Sequence, residues 1–194
     1  MASTVPTVAL FARYPVAGEA KTRLIPALGA EGAAALHRRL VMRTLAVMQT
    51  SGLPCAVWTT GAPHAQFAAW LGHDVPLIEQ GEGDLGARLE RVPAPCILLG
   101  ADIPDLSAEH LRKAAAALEK YAAVLGPAGD GGYYLLGLSH PMPYLFQSMP
   151  WGSEHVLGET IRRLNERGEP YHLLDHLDDC DRPEDLERWP HLVR

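Results

Sequence analysis

The sequence has no apolar run approaching the roughly 18 residues that cross a bilayer, so no membrane span is expected. It has no basic run either. Lys and Arg number 17 against 23 Asp and Glu, a formal net charge of −6, which argues against nucleic acid as a partner. Cysteine is scarce and odd in number. Cys55, Cys96 and Cys180 lie far apart and outside any Cys-x-x-Cys, so they read as free, buried thiols in a reducing cytoplasm. The opening Met1-Ala-Ser-Thr-Val-Pro6 lacks the basic and apolar regions of a signal peptide, which again makes the cytoplasm the expected location. No Gly-x-Ser-x-Gly is present, so no serine hydrolase is suggested. There is also no internal repeat and no low-complexity segment.

The composition is that of an ordinary globular chain, 47% hydrophobic and 21% charged over 194 residues, and one domain over residues 1–194 is expected. Apolar runs at 7–12, 55–60, 75–79, 96–100, 122–126, 133–138 and 171–174 read as strands. Helical patterns fill 26–49, 63–71, 84–91, 107–120 and 154–167, bounded by Gly52 with Pro54, by Pro93 with Pro95, and by Gly168. Strands separated by helices predict an α/β fold, a mostly parallel sheet covered on both faces. Ligands of such sheets bind beyond the carboxyl ends of the strands.

Four loops at those ends carry candidate chemistry. The segment FARYPVAGEAKTRL sets Arg13, Lys21 and Arg23 on a Pro/Gly loop before a helix, where cations and helix N–H groups suit phosphate. A solvated basic loop is the plainer alternative, and without a Gly-Lys pair it is not a Walker loop. The segment QGEGDLGAR formally contains Gly-x-Gly-x-x-Gly with Asp102 downstream, but Pro93 cuts the following helix short, which disfavours a dinucleotide site. In LGADIPDL, Asp102 directly after the 96–100 run is placed to hold a hard cation or merely to stabilise its loop. Asp105 is a candidate helix cap shared with Ser107. In GPAGDGGYYL, Asp130 sits in a glycine-rich turn that is either a plain hairpin or a ligand approach, with Tyr133 and Tyr134 offering rings and hydroxyls.

Taken in order, FARYPVAGEAKTRL, QGEGDLGARL, LGADIPDL and GPAGDGGYYLLGL resemble a family of small bacterial glycosyltransferases of the GT-A, nucleotide-diphospho-sugar transferase type, linked by genome context to arsenosugar biosynthesis. WGSEHVL at 151–157 and DDCDRPEDL at 178–186 look like its later motifs, so the likeness spans about residues 7–189. The resemblance implies a single-domain three-layer α/β/α sandwich and metal-dependent glycosyl transfer from a nucleotide-diphospho-sugar to a small acceptor. Alternatives are a guanylyltransferase-like nucleotidyl transfer that releases pyrophosphate, or a non-catalytic nucleotide- or sugar-binding module. It also implies a divalent cofactor, Mg²⁺ or Mn²⁺. By the same resemblance Phe11, Arg13, Gly18, Lys21, Arg23, Gly83, Asp84 and Arg88 contact the nucleotide and its phosphates. Asp102 becomes a catalytic and metal residue, and Asp130 a second catalytic residue, metal ligand or acceptor contact. Gly131, Gly132, Tyr133 and Trp151 line the acceptor or sugar site. The chain departs from the usual Asp-x-Asp, having Asp102-Ile-Pro-Asp105 instead, so only Asp102 carries over firmly. Arg13 stands where Lys is commoner.

Two further patterns are weaker. His172 and His176 have a zinc-like i, i+4 spacing but lie on and just after a strand-like run, where they would not converge. His155 is a candidate through the adjacent Trp151-Gly152 turn, with an ordinary surface or cap residue as the commoner reading. The acidic tail 175–185 reads as a solvated loop and helix start, with Pro183 at a first helical position.

Overall fold

The computed structural model describes residues 5–193; residues 1–4, part of the segment inspected for a leader, lie outside the described residues. Seven strands form one sheet: β1 (Thr7–Arg13), β2 (Cys55–Thr60), β3 (Leu77–Glu79), β4 (Cys96–Leu99), β5 (Ala123–Pro127), β6 (Tyr133–Leu138) and β7 (Tyr171–Leu173). Their order is β3-β2-β1-β4-β6-β5-β7. All neighbours are parallel except β6, which runs antiparallel to both β4 and β5. The chain therefore builds outward from β1 to β2 and β3, then returns to place β4 on the other side of β1. That reversal opens a crevice at the carboxyl ends of β1 and β4.

Helices α1 (Ile25–Ser51), α2 (His64–Leu71) and α4 (Ala108–Ala117) cover one face, and α3 (Leu85–Glu90) and α5 (Val156–Arg167) the other. The strand period assigns residues to the two layers. Val8, Leu10 and Ala12 of β1 meet Val41 and Leu45 of α1, Phe67 of α2 and Leu111 of α4, while Ala9 faces Leu89 and Leu164 with the second layer. The result is the expected three-layer α/β/α sandwich.

Local details differ from the sequence reading for physical reasons. The long first helix is interrupted at Gly29, whose φ of 70° and ψ of 169° leave the helical region; only glycine enters such a backbone at low cost. The arginines off the apolar arc of α1 are engaged. Arg38 lies over the Trp70 ring at 5.0 Å, and Arg43 Nε donates to the Pro104 carbonyl. Of the three thiols, Cys55 is only half-buried, whereas Cys180, outside any apolar run, is fully buried in a third cluster with Leu24, Leu36, Leu40 and Trp189. That cluster clamps the C-terminal segment onto α1. No helix among the described residues is long and apolar enough to cross a membrane.

Candidate functional site

The loop after β1 brings Lys21 to the crevice, and the loop after β4 brings Asp102. Lys21 holds a left-handed backbone, φ 51°, uncommon for a side chain with a Cβ. The three donors of its ammonium meet three oxygens: the Cys180 carbonyl at 2.6 Å, Asp102 Oδ1 at 2.7 Å and Asp181 Oδ1 at 3.2 Å. The side chain is only 3% exposed. Burial alone would lower its pKa, but Asp102 and Asp181 outweigh it and hold the group above its ordinary value. Asp181 shows the mirror image. Burial disfavours its charge, yet Lys21 and Arg23 pull its carboxyl below the usual range.

Two clefts meet here, and Asp102 and Asp181 line both. The first, of about 310 Å³, contains Arg13, Lys21, Arg23 and His37. The three expected cations do converge, but each has an internal partner: Glu19 for Arg13 at 3.0 Å, Asp181 for Arg23 at 2.7 Å, and the acceptors above for Lys21. The second, of about 260 Å³, has an apolar body of Phe11, Leu85, Leu89, Leu98 and Trp151, with Asp102, Asp130, Asp179 and Asp181 among its lining. The Asp179 carboxyl is pushed up by burial and by repulsion from Asp130, Asp181 and Asp185.

The remaining expected residues divide. Phe11 faces the second cleft, its ring stacked on Trp58 at 5.9 Å, rather than the basic one. Gly18 allows the turn at φ 85° but lines neither cleft. Gly83, Asp84 and Arg88 also stand outside both and are engaged in local bonds. Asp84 caps α3 by accepting from Ala87 N at 2.8 Å, and Arg88 Nε donates to the Gly83 carbonyl at 2.9 Å. Asp130 lines the second cleft while accepting from Gly132 N at 2.8 Å, so the hairpin turn and the cleft position coexist. Gly132, Tyr133 and Trp151 line that cleft; Gly131 lies behind it, where any Cβ would strike the Glu154 carbonyl. The tyrosine hydroxyls are not offered as expected. That of Tyr133 is buried beside Thr160, and that of Tyr134 donates to the Asp175 carbonyl at 3.2 Å.

Three expectations are corrected. Asp105 does not cap α4, a task taken by Ser107 with His110; its carboxylate accepts from Trp189 Nε1 at 3.1 and 3.2 Å. His155 is 74% exposed and outside both clefts. The acidic tail is not simply solvated, because Asp179 and Asp181 enter the crevice and the Cys180 N–H donates to the Asp102 carbonyl at 2.8 Å. The double-Asp motif of the tail was the available signal. The dinucleotide pattern also dissolves, since β3 and β4, which flank α3, are separated by β2 and β1.

The oxygens suit a hard cation. Among the described residues no three Asp, Glu, His or Cys side chains form a ready cage, but Mg²⁺ and Mn²⁺ sites need only one or two carboxylates, with water and phosphate completing the shell. A carboxylate that already holds an ammonium, with further carboxylates facing the same cleft, fits that requirement.

No curated protein matches the sequence significantly. Among solved structures, a protein of Desulfovibrio desulfuricans G20 assigned to the nucleotide-diphospho-sugar transferases superposes with a TM-score of 0.86 at 26% identity, over 97% of this chain and 96% of that one. A nucleotidyl transferase from Methanothermobacter gives a TM-score of 0.63 at 17% identity, over 98% and 99%. The glucosyl-3-phosphoglycerate synthase of Mycobacterium tuberculosis, solved with Mn²⁺, uridine diphosphate and phosphoglyceric acid, gives 0.59 at 11%, over 100% and 76%. These last two speak for the fold alone, and none of the three carries the arsenosugar link. Residues 44–153, more than half of the chain and including Asp102 and Asp130, match the bacterial family described as "Uncharacterized protein conserved in bacteria (DUF2064)", and the chain belongs to that family.

Proposed function

We propose that the protein is a transferase acting on a nucleotide-diphospho-sugar, passing the glycosyl group to a hydroxyl of a small acceptor. The observation that carries this reading is Asp102, which lies in the loop after β4 at the switch point and is shared by a basic cleft and an apolar one. The nucleotide diphosphate is assigned to the basic side with Arg13 and Arg23, and the sugar and acceptor to the side of Asp130, Gly132 and Trp151. In the reaction the bond from the sugar's anomeric carbon to the diphosphate oxygen breaks. A bond to the acceptor oxygen forms, the acceptor's proton passes to a base, and the nucleoside diphosphate leaves. Asp130 is the carboxylate placed to take that proton. Asp102, with Asp179 or Asp181, would hold a divalent cation, whose chemistry when bound is to neutralise charge developing on the leaving diphosphate. Arg13 and Arg23 orient the same oxygens, and the apolar walls exclude water.

The D. desulfuricans relative, similar over nearly the whole of both chains, supports this reading. The test is incubation with nucleotide sugars and Mn²⁺. Release of nucleoside diphosphate and free sugar, abolished in Asp102→Asn, is the expected result. Release of pyrophosphate from a nucleoside triphosphate instead would replace glycosyl by nucleotidyl transfer, and binding without turnover would leave a binding module.

A further inference from the structure

The cleft on the Asp130 side has a property of its own. Its lining includes Asp102, Asp130, Asp179 and Asp181 but no Lys, Arg or His. Lys21 and Arg23, which pair with Asp102 and Asp181, belong to the other cleft, and all three Lys21 donors are committed. The body of the cleft is apolar, with Phe11 held flat against Trp58 as one wall and Leu85, Leu89 and Trp151 around it. We infer that the molecule bound here is uncharged and presents an apolar face, and that acceptors carrying a phosphate or carboxylate are rejected. This rests on the reading of the cleft as the acceptor side and specifies which acceptors it admits.

The physical reason is a difference between two costs. An apolar face of ring size fits about 260 Å³ and gains by leaving water. An anion entering the same space loses its hydration, finds no basic side chain to replace it, and meets the carboxylates of Asp130 and Asp179 instead; the divalent cation proposed for Asp102 serves the diphosphate, not the acceptor. Carboxylates thus act here as a filter against anions.

The test uses two probes of nearly equal shape, neutral 4-propylphenol and anionic 3-(4-hydroxyphenyl)propionate, titrated into the full chain in buffer freed of divalent metal at pH 7 with ligand-observed NMR. The neutral probe should bind at least about tenfold more tightly. Leu85 is 42% exposed at the start of α3 and should accept replacement, and Leu85→Lys should narrow the gap by admitting the propionate. Asp179→Asn, which removes a carboxylate, should narrow it too and serves if the lysine variant folds poorly. Equal binding of the two probes, binding of neither, or a gap unchanged in both variants would overturn the inference. Thermal shifts with nucleotide sugar and Mn²⁺ on the same samples keep the two readings apart. Their absence would sink the transferase reading while the probe difference still stood.

Discussion

The two clefts that meet at Asp102 are built by opposite means. The basic one is assembled from charges, and each of its cations is already paired within the chain: Arg13 with Glu19, Arg23 with Asp181, Lys21 with Asp102 and Asp181. The apolar one is shaped by packing of α3, β4 and the turn at Trp151, and the Asp130 side chain bonds its own turn. On the proposed reading, binding in the first is therefore an exchange, since an anion must compete with carboxylates for the same cations. Binding in the second is burial into a shape that already exists. On this account nucleotide and divalent cation should bind together, because a cation at the shared carboxylates weakens the competition that an incoming diphosphate faces.

The largest effect that would break this comparison concerns Asp102. Its side chain is 47% exposed, so Asp102→Asn should fold normally, keeping the size but losing the charge a hard cation requires. Metal-dependent nucleotide affinity and turnover should fall by at least about a hundredfold, a loss of the order expected for a charged contact made in the transition state. Calorimetric titration of Mn²⁺ with nucleotide present checks it. Equal metal affinity in wild type and variant would leave the shared-carboxylate account without support.

Lys21 comes next, and here the expected readout is stability rather than affinity. Lys21→Met leaves Asp102, Asp181 and the Cys180 carbonyl without their common donor. Because both carboxylates keep some contact with water, the cost should be about 2–3 kcal/mol, below that of a fully buried pair, or about 4–12 °C in Tm. Its pH dependence follows from the shifts. The folded pKa of Lys21 lies above 10.5, so its contribution is complete below that unfolded value and is lost as pH rises through the folded one. The folded pKa of Asp181 lies below 3.8, so its contribution is present above that value and is lost as pH falls through the folded one. The gap in stability between wild type and Lys21→Met should hence be flat near neutrality and close at both extremes. A gap that changes steadily between pH 5 and 9 would point to some other group.

Asp130 sharpens the apolar side. Asp130→Asn retains an oxygen that can accept from Gly132 N, so the turn should survive while the charge disappears. Turnover should drop by about a hundredfold, the lower end of general-base contributions, with nucleotide affinity unchanged. Loss of nucleotide affinity instead would move Asp130 from the acceptor to the metal.

The strands and helices were largely legible because each is a local pattern: the apolar run CILL became β4, fully buried, and Gly52 and Gly168 ended their helices in left-handed caps. Asp102 was legible as the first carboxylate after a buried strand. What could not be read was pairing across the chain. Lys21 and Asp181 are 160 residues apart, and no periodicity links a cation in the first loop to a carboxylate in the last. For the same reason Asp84 and Arg88 were read as ligand contacts. Their motif is visible in sequence, but the local bonds that engage them at the start of α3, Asp84 with Ala87 N and Arg88 with the Gly83 carbonyl, are geometric facts. Asp105 was misread through a local rule, because caps are recognised by neighbours in sequence, whereas its partner is Trp189.

The smallest expected effect probes that partner. Trp189 is buried against Leu24, Leu36 and Leu40, and its indole N–H reaches both oxygens of Asp105, an exposed residue. Trp189→Phe keeps most of the apolar contact and removes the donor. Leaving an exposed carboxylate unpaired costs little, so the loss should be about 1 kcal/mol, or about 2–4 °C in Tm. Asp105→Asn should cost less still, since an amide oxygen accepts the same bond. Both changes act on the clamp that carries Cys180 and Asp181 to the crevice, which makes their coupling to Lys21 the informative quantity. Lys21 and Trp189 share no direct contact, yet both hold the segment 180–189 in place. If that segment docks as one unit, the double variant Lys21→Met, Trp189→Phe should lose less than the sum of the single losses, because a segment already released cannot be released twice. Strict additivity would mean that the two ends of the segment are held independently, and that the basic cleft owes its Asp181 to Lys21 and Arg23 alone.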